Sequence, residues 1–404
     1  MKASEVMKLV EIHKIKKSSK YFNLLTDLCK KSNSLYNQAL YNAKQSLRKD
    51  NTWLFYNELN YICKNQPDKY NNYKKLPVQC SQQTLRLVDK NLKSYRNSIK
   101  NWSKNKSKYS GKPKLPNYRK SGGLFQLVLT NQQCRLKDDN IIVFPKIFNG
   151  LNLKMRKKFV NKINQIRILP KIDCFKIEVI YEIDNVKLNN NENIASIDLG
   201  LKNLVTLVYS NNKQPMIYKG NRLLKLNHDF NRSKNKYQSI LAKTQNKKTS
   251  KRLLSIYNKR NNQIEDCMHK ISKSIIDQLL ENNISTLVVG HNVNQKQKSK
   301  LKNFVALPIF KLIQLLKYKC EINGVKFVEI NEAYTSGTSF IDNEYPNKVN
   351  YNKHRRVKRG LFKANKGLFI NSDVNAAYQI MRKYNDKIKI EYDNGIFNPR
   401  AMSV

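Results

Sequence analysis

The sequence predicts a mixed chain: an α/β region in its C-terminal half, preceded by a helical region and a small β region. Three patterns carry this expectation. Between Tyr21 and Trp102 apolar residues recur at steps of three and four. Short alternating runs follow, and beyond a polar hinge at Asn189 to Asn193 continuous apolar strands trade places with long amphipathic helices. With 404 residues, 40% of them hydrophobic, there is apolar material for more than one core, and two or three domains are expected.

In chain order, Leu9 to Ile15 reads as a first strand. Leu25, Leu28, Leu35, Ala39 and Ala43 mark one helix; Leu85, Val88, Leu92, Tyr95, Ile99 and Trp102 mark a second. Lys104 to Lys120 is Lys-rich, contains Gly and Pro and has no acidic residue, so it reads as a loop. Phe125-Gln-Leu-Val-Leu, Ile141-Ile-Val-Phe and Phe175-Lys-Ile-Glu-Val-Ile-Tyr alternate as half-buried strands do, which predicts a small β domain. Ala195 to Tyr209 reads as a strand and the turn into its partner, and Ile264, Met268, Ile271, Ile275 and Leu279 form a helical stripe. Ser285 to Gly290 is apolar throughout, as a strand covered on both faces requires. Pro308 opens a helix with Ile309, Leu312, Ile313, Leu316 and Cys320 inward, Gly324 ends it, and Val325 to Ile330 is a further strand. Strand, helix and strand in succession predict a parallel sheet.

Charge narrows the function. Lys and Arg total 77 against 29 acidic residues, a formal net charge of +48, which calls for a polyanionic partner. A membrane surface is the poorer choice: no signal peptide is read at the start, and the apolar stretch Phe304 to Leu316 is short and interrupted by Lys311. Nucleic acid is the better one, because 22 Tyr and 15 Phe interleave with the cations and can stack on bases. The 7 cysteines form no Cys-x-x-Cys pair and the 5 histidines show no ligand spacing, so reduced thiols, a cytoplasmic location and no zinc are expected.

Two carboxylates stand out. Asp198 lies inside the apolar run Ile194-Ala-Ser-Ile-Asp-Leu-Gly-Leu, where an unpartnered charge is costly and a metal-ligand role is economical. The competing reading is a turn-initiating Asp before Gly200. Asp373, in Asn371-Ser-Asp-Val-Asn-Ala-Ala, opens a helix and, taken alone, reads as an ordinary N-cap before it reads as a ligand.

Several separated blocks, in order, resemble a known family: Gly111-Lys-Pro-Lys-Leu-Pro-Asn-Tyr-Arg, Ile197-Asp-Leu-Gly-Leu-Lys-Asn-Leu, Arg260 with His269, Glu332-Ala-Tyr-Thr-Ser, and Ser372-Asp-Val-Asn-Ala-Ala. They are similar to TnpB, the OrfB-type transposon-encoded RNA-guided endonucleases related to type V CRISPR effectors. The resemblance implies an N-terminal β-barrel wedge domain (a first strand in 1–19 and a body in 106–190), with a helical recognition lobe inserted at 20–105. It implies an RNase H-like (RuvC) nuclease over 194–404, with Asp198 and Asp373 on the family's first and last catalytic aspartates. It further implies two Mg²⁺ ions about 4 Å apart, a guide RNA, a target DNA read beside a short flanking motif, and a bacterial or phage mobile element whose separate transposase moves it.

Two departures follow. The family's glutamate falls at Gly290, so Glu332, at the end of the next strand about 4.8 Å further out, is expected to replace it, as in branches with a rearranged glutamate. Glu329 and Asp342 are poorer candidates. The family's zinc-ribbon cysteines are missing from 335–371, which is expected to be held instead by Phe340, Ile341, Leu361, Phe362 and Leu368. For nucleic-acid contacts the basic segments offer Lys112, Lys114, Arg119, Arg260, Arg355, Arg356 and Arg359. A nuclease-inactive RNA-guided repressor and a strand-joining transposase are the rival functions.

Overall fold

The computed structural model describes residues 6–66, 68–137, 140–156, 162–245, 249–292, 307–358, 360–365, 367–388 and 398–402. The chain divides into two units, Met1–Asp184 and Asn185–Val404.

In the first unit, β1 (Met7–Lys16) leads into α1 (Phe22–Lys49), α2 (Tyr56–Asn65), α3 (Asn71–Lys74) and α4 (Val78–Lys104). Helices α1 and α4 pack through the predicted residues: Leu25, Leu28, Leu35 and Ala39 on one, Leu85, Val88 and Leu92 on the other, all buried. Polar ties also cross this seam, Ser32 Oγ with Thr84 Oγ1 at 3.0 Å and Asn91 Nδ2 donating to the Tyr36 hydroxyl at 2.8 Å. The stripe fades toward the end of α4, where Tyr95, Ile99 and Trp102 are only half-buried. The strands that follow are β2 (Leu127–Thr130), β3 (Arg135–Lys137), β4 (Ile141–Val143), β5 (Asn152–Lys154), β6 (Lys162–Pro170) and β7 (Cys174–Ile183). They form a four-stranded antiparallel sheet, β1-β7-β6-β2, and a small three-stranded one, β3-β4-β5. Strand β7 shows the period-2 logic plainly: Phe175, Ile177, Val179, Tyr181 and Ile183 are buried, while the intervening residues are not.

The second unit is built on a six-stranded sheet made of β8 (Ile194–Leu199), β9 (Asn203–Tyr209), β10 (Met216–Lys219), β11 (Thr286–Gly290), β12 (Lys326–Ile330) and β15 (Arg400–Met402), in the order β12-β11-β8-β9-β10-β15. It is mixed rather than parallel. Strands β8, β11 and β12 run parallel, but the tight connection after β8 leaves no room for a crossover, so β9 returns antiparallel and β10 follows it. Gly200 permits that tight turn, since a Cβ there would lie 2.4 Å from the Asn203 carbonyl oxygen.

Two cores flank this sheet. On one face α6 (Lys251–Glu281) and α7 (Ile309–Glu321) cover Ala195, Ile197, Leu287 and Val289; α5 (Asn221–Gln245) pairs with α6. On the other, α8 (Ser372–Tyr384) covers Ile194, Val208 and Val288 with Val374, Ala377, Tyr378 and Met381. Alternation then fixes where every other strand residue points. Ile194, Ser196 and Asp198 share the α8 face, and Ser196 Oγ donates to the Ala377 carbonyl at 2.7 Å.

The segment 335–371 includes the hairpin β13 (Leu361–Lys363) and β14 (Phe369–Asn371). Phe340 and Phe362 are fully buried in the α8 core, with Ile341 packed against it. Leu361 is half-buried, and the expectation fails for Leu368, which is 45% exposed. Polar groups supply much of the remaining hold. Asn375, Gln379 and Arg382, on one face of α8, reach the loop: Asn375 accepts from the Phe340 N–H and donates to the Thr338 carbonyl, Gln379 donates to the Glu344 carbonyl, and Arg382 donates to the Phe340 carbonyl and Asn343 Oδ1. The Phe340 ring stacks on Tyr378 at 4.7 Å. Among the described residues, no helix is long and apolar enough to cross a membrane.

Candidate metal centre

Asp198 is paired with Thr206 across the β8–β9 ladder, so it lies inside the strand and does not initiate the turn. Its side chain shares the α8 face, and α8 begins there. Asp373 is not the N-cap of that helix: Asn371 holds the position, its Oδ1 accepting from the backbone N–H groups of Asp373 and Val374 at 2.9 and 3.2 Å. That leaves the Asp373 carboxylate to point elsewhere. It accepts from Asn203 Nδ2 at 2.6 Å and lies 3.8 Å from the Arg356 guanidinium.

Glu332 stands two residues past the end of β12, on a turn built by its neighbours. Asn331 Oδ1 accepts from the Ala333 N–H, and the Glu332 carbonyl accepts from both the N–H and the hydroxyl of Thr335. Tyr334 pays for this turn with a left-handed φ of 70°, an arrangement that costs a non-glycine residue about 1–2 kcal/mol. A Cβ built on Gly290 would lie 3.3 Å from the Glu332 Cβ, so Glu332 stands beside the place where a residue 290 side chain would start. The same hypothetical Cβ would meet Ile380 Cδ1 at 2.3 Å, which shows how closely α8 fills the gap that the glycine leaves.

Asp198, Glu332 and Asp373 together line one pocket of about 460 Å³, with Tyr334, Tyr351, Arg356 and Ser372. Burial pushes the Asp198 carboxyl well above the ordinary aspartate range, and the negative charges of Asp373 and Glu332 push it further; Arg356 and the Leu199 N–H pull the other way. Two hydroxyls at the site, Thr206 Oγ1 opposite Asp198 and Ser372 Oγ, are buried without hydrogen-bond partners. The donors are all oxygens, which suits a hard divalent cation such as Mg²⁺. Among the described residues no three His, Cys, Asp or Glu side chains are already gathered closely enough to hold an ion, so the carboxylates would have to draw in around one. Glu329 is a different case, with its carboxylate 3.9 Å from His291 on an exposed edge, and Asp342 accepts from the Asn365 N–H and pairs with Arg355.

Of the basic residues singled out by sequence, Arg356 is the one described at the carboxylates. It also lines an adjoining pocket of about 770 Å³ with Lys202, Lys219, Asn203 and Asn221. Arg355 is spent on Glu344, at 2.7 Å, and on Asn365. Arg260 braces α5 against α6 through Asn227 Oδ1 and the Phe230 ring. Arg119 closes the Lys-rich loop onto α1, its guanidinium 4.0 Å from the Phe125 ring centroid and bonded to Asn33. Lys112 and Lys114 are exposed, and Arg359 lies outside the described residues. Sequence reasoning missed Asn203, Lys219 and Asn371. Asn203 and Asn371 sat inside the quoted blocks, but their polar side chains carry no periodic signal.

The fold and site define a mixed α/β protein in which β8, the turn after β12 on the far side of β11, and one helix N-terminus bring acidic residues to a single pocket. Residues 176–296 match the OrfB_IS605 family, described as probable transposase, and residues 310–380 match the Cas12f1-like TNB domain. A TnpB-like protein of Methanocaldococcus jannaschii is 27% identical over 48% of this chain and 75% of its own length. A TnpB-like protein of Acidianus two-tailed virus is 26% identical over 47% of this chain and 41% of its own length. The chain is a TnpB-type relative of the type V effectors. Among solved structures, the mini RNA-guided endonuclease CRISPR-Cas phi3 aligns over 94% of this chain and 92% of its own at 11% identity, with a TM-score of 0.44, too distant to add weight.

Proposed function

We propose that this protein is an RNA-guided, metal-dependent DNA endonuclease of a mobile element, with the RNase H-like (RuvC) part in its second unit and the wedge and recognition parts in its first. The observation that carries the reading is the convergence of Asp198, Glu332 and Asp373 on one pocket, with Asp198 held toward its protonated form by burial and by the other two charges. Such a cluster is costly unless a cation neutralises it.

The three carboxylates would hold the metal. Bound divalent ions would supply Lewis acidity, activating water and stabilising the leaving 3′ oxygen. The chain's own residues do the rest. Arg356, Lys202 and Lys219 line the adjoining pocket and offer cations to the phosphates of the strand to be cut. Asn371, by capping α8, frees Asp373 for the site. Pairing between guide and target would select the sequence, and the net charge of +48 is consistent with holding both nucleic acids.

The test is to purify the protein with its co-expressed RNA and incubate it with a library of target duplexes and Mg²⁺. Cleavage leaving 5′ phosphates, lost in Asp198→Ala while RNA binding persists, is the expected result. Cleavage by Asp198→Ala at the wild-type rate would show the site assignment to be wrong. Two observations favour a second reading, a guide-dependent binder that occupies DNA without cutting: Gly290 offers no ligand, and among the described residues no ready-made cage exists. Occupancy without cleavage by the wild type would decide for it.

A further inference from the structure

The Asn203 carboxamide stands between Asp373 and Lys219. Its Nδ2 donates to Asp373 Oδ2 at 2.6 Å and its Oδ1 accepts from Lys219 Nζ at 3.0 Å. The two contacts fix the amide's orientation. An ammonium group has only donors to offer, so it takes the amide oxygen, which turns the NH₂ toward the carboxylate. The backbone sets this up. Asn203 opens β9, closed tightly against Gly200, and a register shift between Tyr218 and Lys219 brings Lys219 opposite Asn203 in the β9–β10 ladder.

We propose that Asn203 is a positioning residue for Asp373, itself oriented by Lys219, and that the pair fixes the rotamer in which this carboxylate presents its other oxygen to a divalent cation. This rests on the metal-centre reading given above. A side chain at 203 needs a donor toward Asp373 and an acceptor toward Lys219, and asparagine supplies both from one short stem. Partners that orient a metal-ligating group characteristically control affinity about 10-fold to 100-fold without touching the ion.

The experiment uses the full chain with its co-expressed RNA and titrates Mn²⁺ by calorimetry, alongside the melting temperature and the Mg²⁺ concentration giving half-maximal cleavage. Asn203→Ala should weaken Mn²⁺ binding about tenfold, with the Mg²⁺ requirement rising in parallel. Lys219→Met, at an exposed position, should shift both in the same direction by less. In an Asp373→Ala background Asn203→Ala should change nothing further, because a residue that acts only through Asp373 has nothing left to orient. Mn²⁺ binding by Asn203→Ala as tight as the wild type's, or a full additional loss in the Asp373→Ala background, would overturn the proposal. If the wild type binds no Mn²⁺, or Asp373→Ala binds it equally well, the metal-centre reading itself fails and takes this inference with it.

Discussion

The two faces of the six-stranded sheet are built on different principles. One meets α6 and α7 through hydrocarbon: Ala195, Ile197, Leu287 and Val289 against Ile271, Ile275, Leu312 and Leu316. The other meets α8, where apolar packing is interrupted by Ser196 bonded to a helix carbonyl, by Asn375, Gln379 and Arg382 tying down the 335–371 loop, and by the acidic pocket at the rim. The first face provides stability at little cost in specificity. The second buries polar groups, most of them tied to a partner but two hydroxyls at the acidic rim without one, and it places the charges that could do chemistry.

The sharpest way to break this comparison is at Asp198. Asp198→Ala should lower guide-directed cleavage at least about a thousandfold, on the order of 4 kcal/mol of barrier, while the melting temperature holds or rises. A drop in stability with cleavage unchanged would make the α8 face a structural surface like its opposite. Glu332→Ala should follow closely, with a loss of about a hundredfold or more. Gly290→Glu should not rescue it unless Ile380 is also trimmed to Ala, because the Ile380 side chain stands in the way. Rescue by Gly290→Glu alone would mean that α8 is less firmly seated than its packing indicates.

On the apolar face the expected loss is in stability alone. Leu316→Ala removes a fully buried side chain and should cost about 2–5 kcal/mol in denaturant unfolding, with cleavage of the folded fraction unchanged. Asn375→Ala, on the α8 face, should cost about 2–3 kcal/mol by stranding the Phe340 N–H and the Thr338 carbonyl. It should also increase proteolysis within 335–371, a signature that Leu316→Ala lacks.

How much of each face was legible in the sequence follows from the same difference. Apolar packing leaves periodicity behind, so the stripes in α1, α4, α6 and α7 and the strand at Ser285 to Gly290 could be read directly. Polar ties leave none. Asn375, Gln379 and Arg382 are spaced as any helix face is, and nothing in their order says that they brace a loop. Arg119, Arg260 and Arg355 read as free cations, yet each is engaged within its own unit. Asp198 and Asp373 could be singled out, but setting aside the turn and cap readings required the β8–β9 register and the finding that Asn371 is the cap. The turn from β8 into β9 was legible, and the parallel pairing expected from the strand, helix and strand run holds for β11 and β12; what the sequence did not show is that both belong to one mixed sheet.

The smallest expected effect is also the most specific to the second face. Because burial and two neighbouring carboxylates hold the Asp198 pKa above its unfolded value, the folded state without metal keeps its proton at pH values where the unfolded chain has lost it. Stability from this group is fully present below the ordinary aspartate range of about 3.9 and is lost as pH rises through the folded pKa. Asp198→Asn removes that loss. Without divalent ions it should raise the melting temperature at neutral pH, and the gain should shrink toward zero as pH falls below about 4. Adding Mn²⁺ should reverse the order, stabilising the wild type and leaving Asp198→Asn unmoved, since a ligand stabilises only the state that binds it. A pH-independent gain, with no reversal by Mn²⁺, would show that Asp198 is strained for a reason other than its charge.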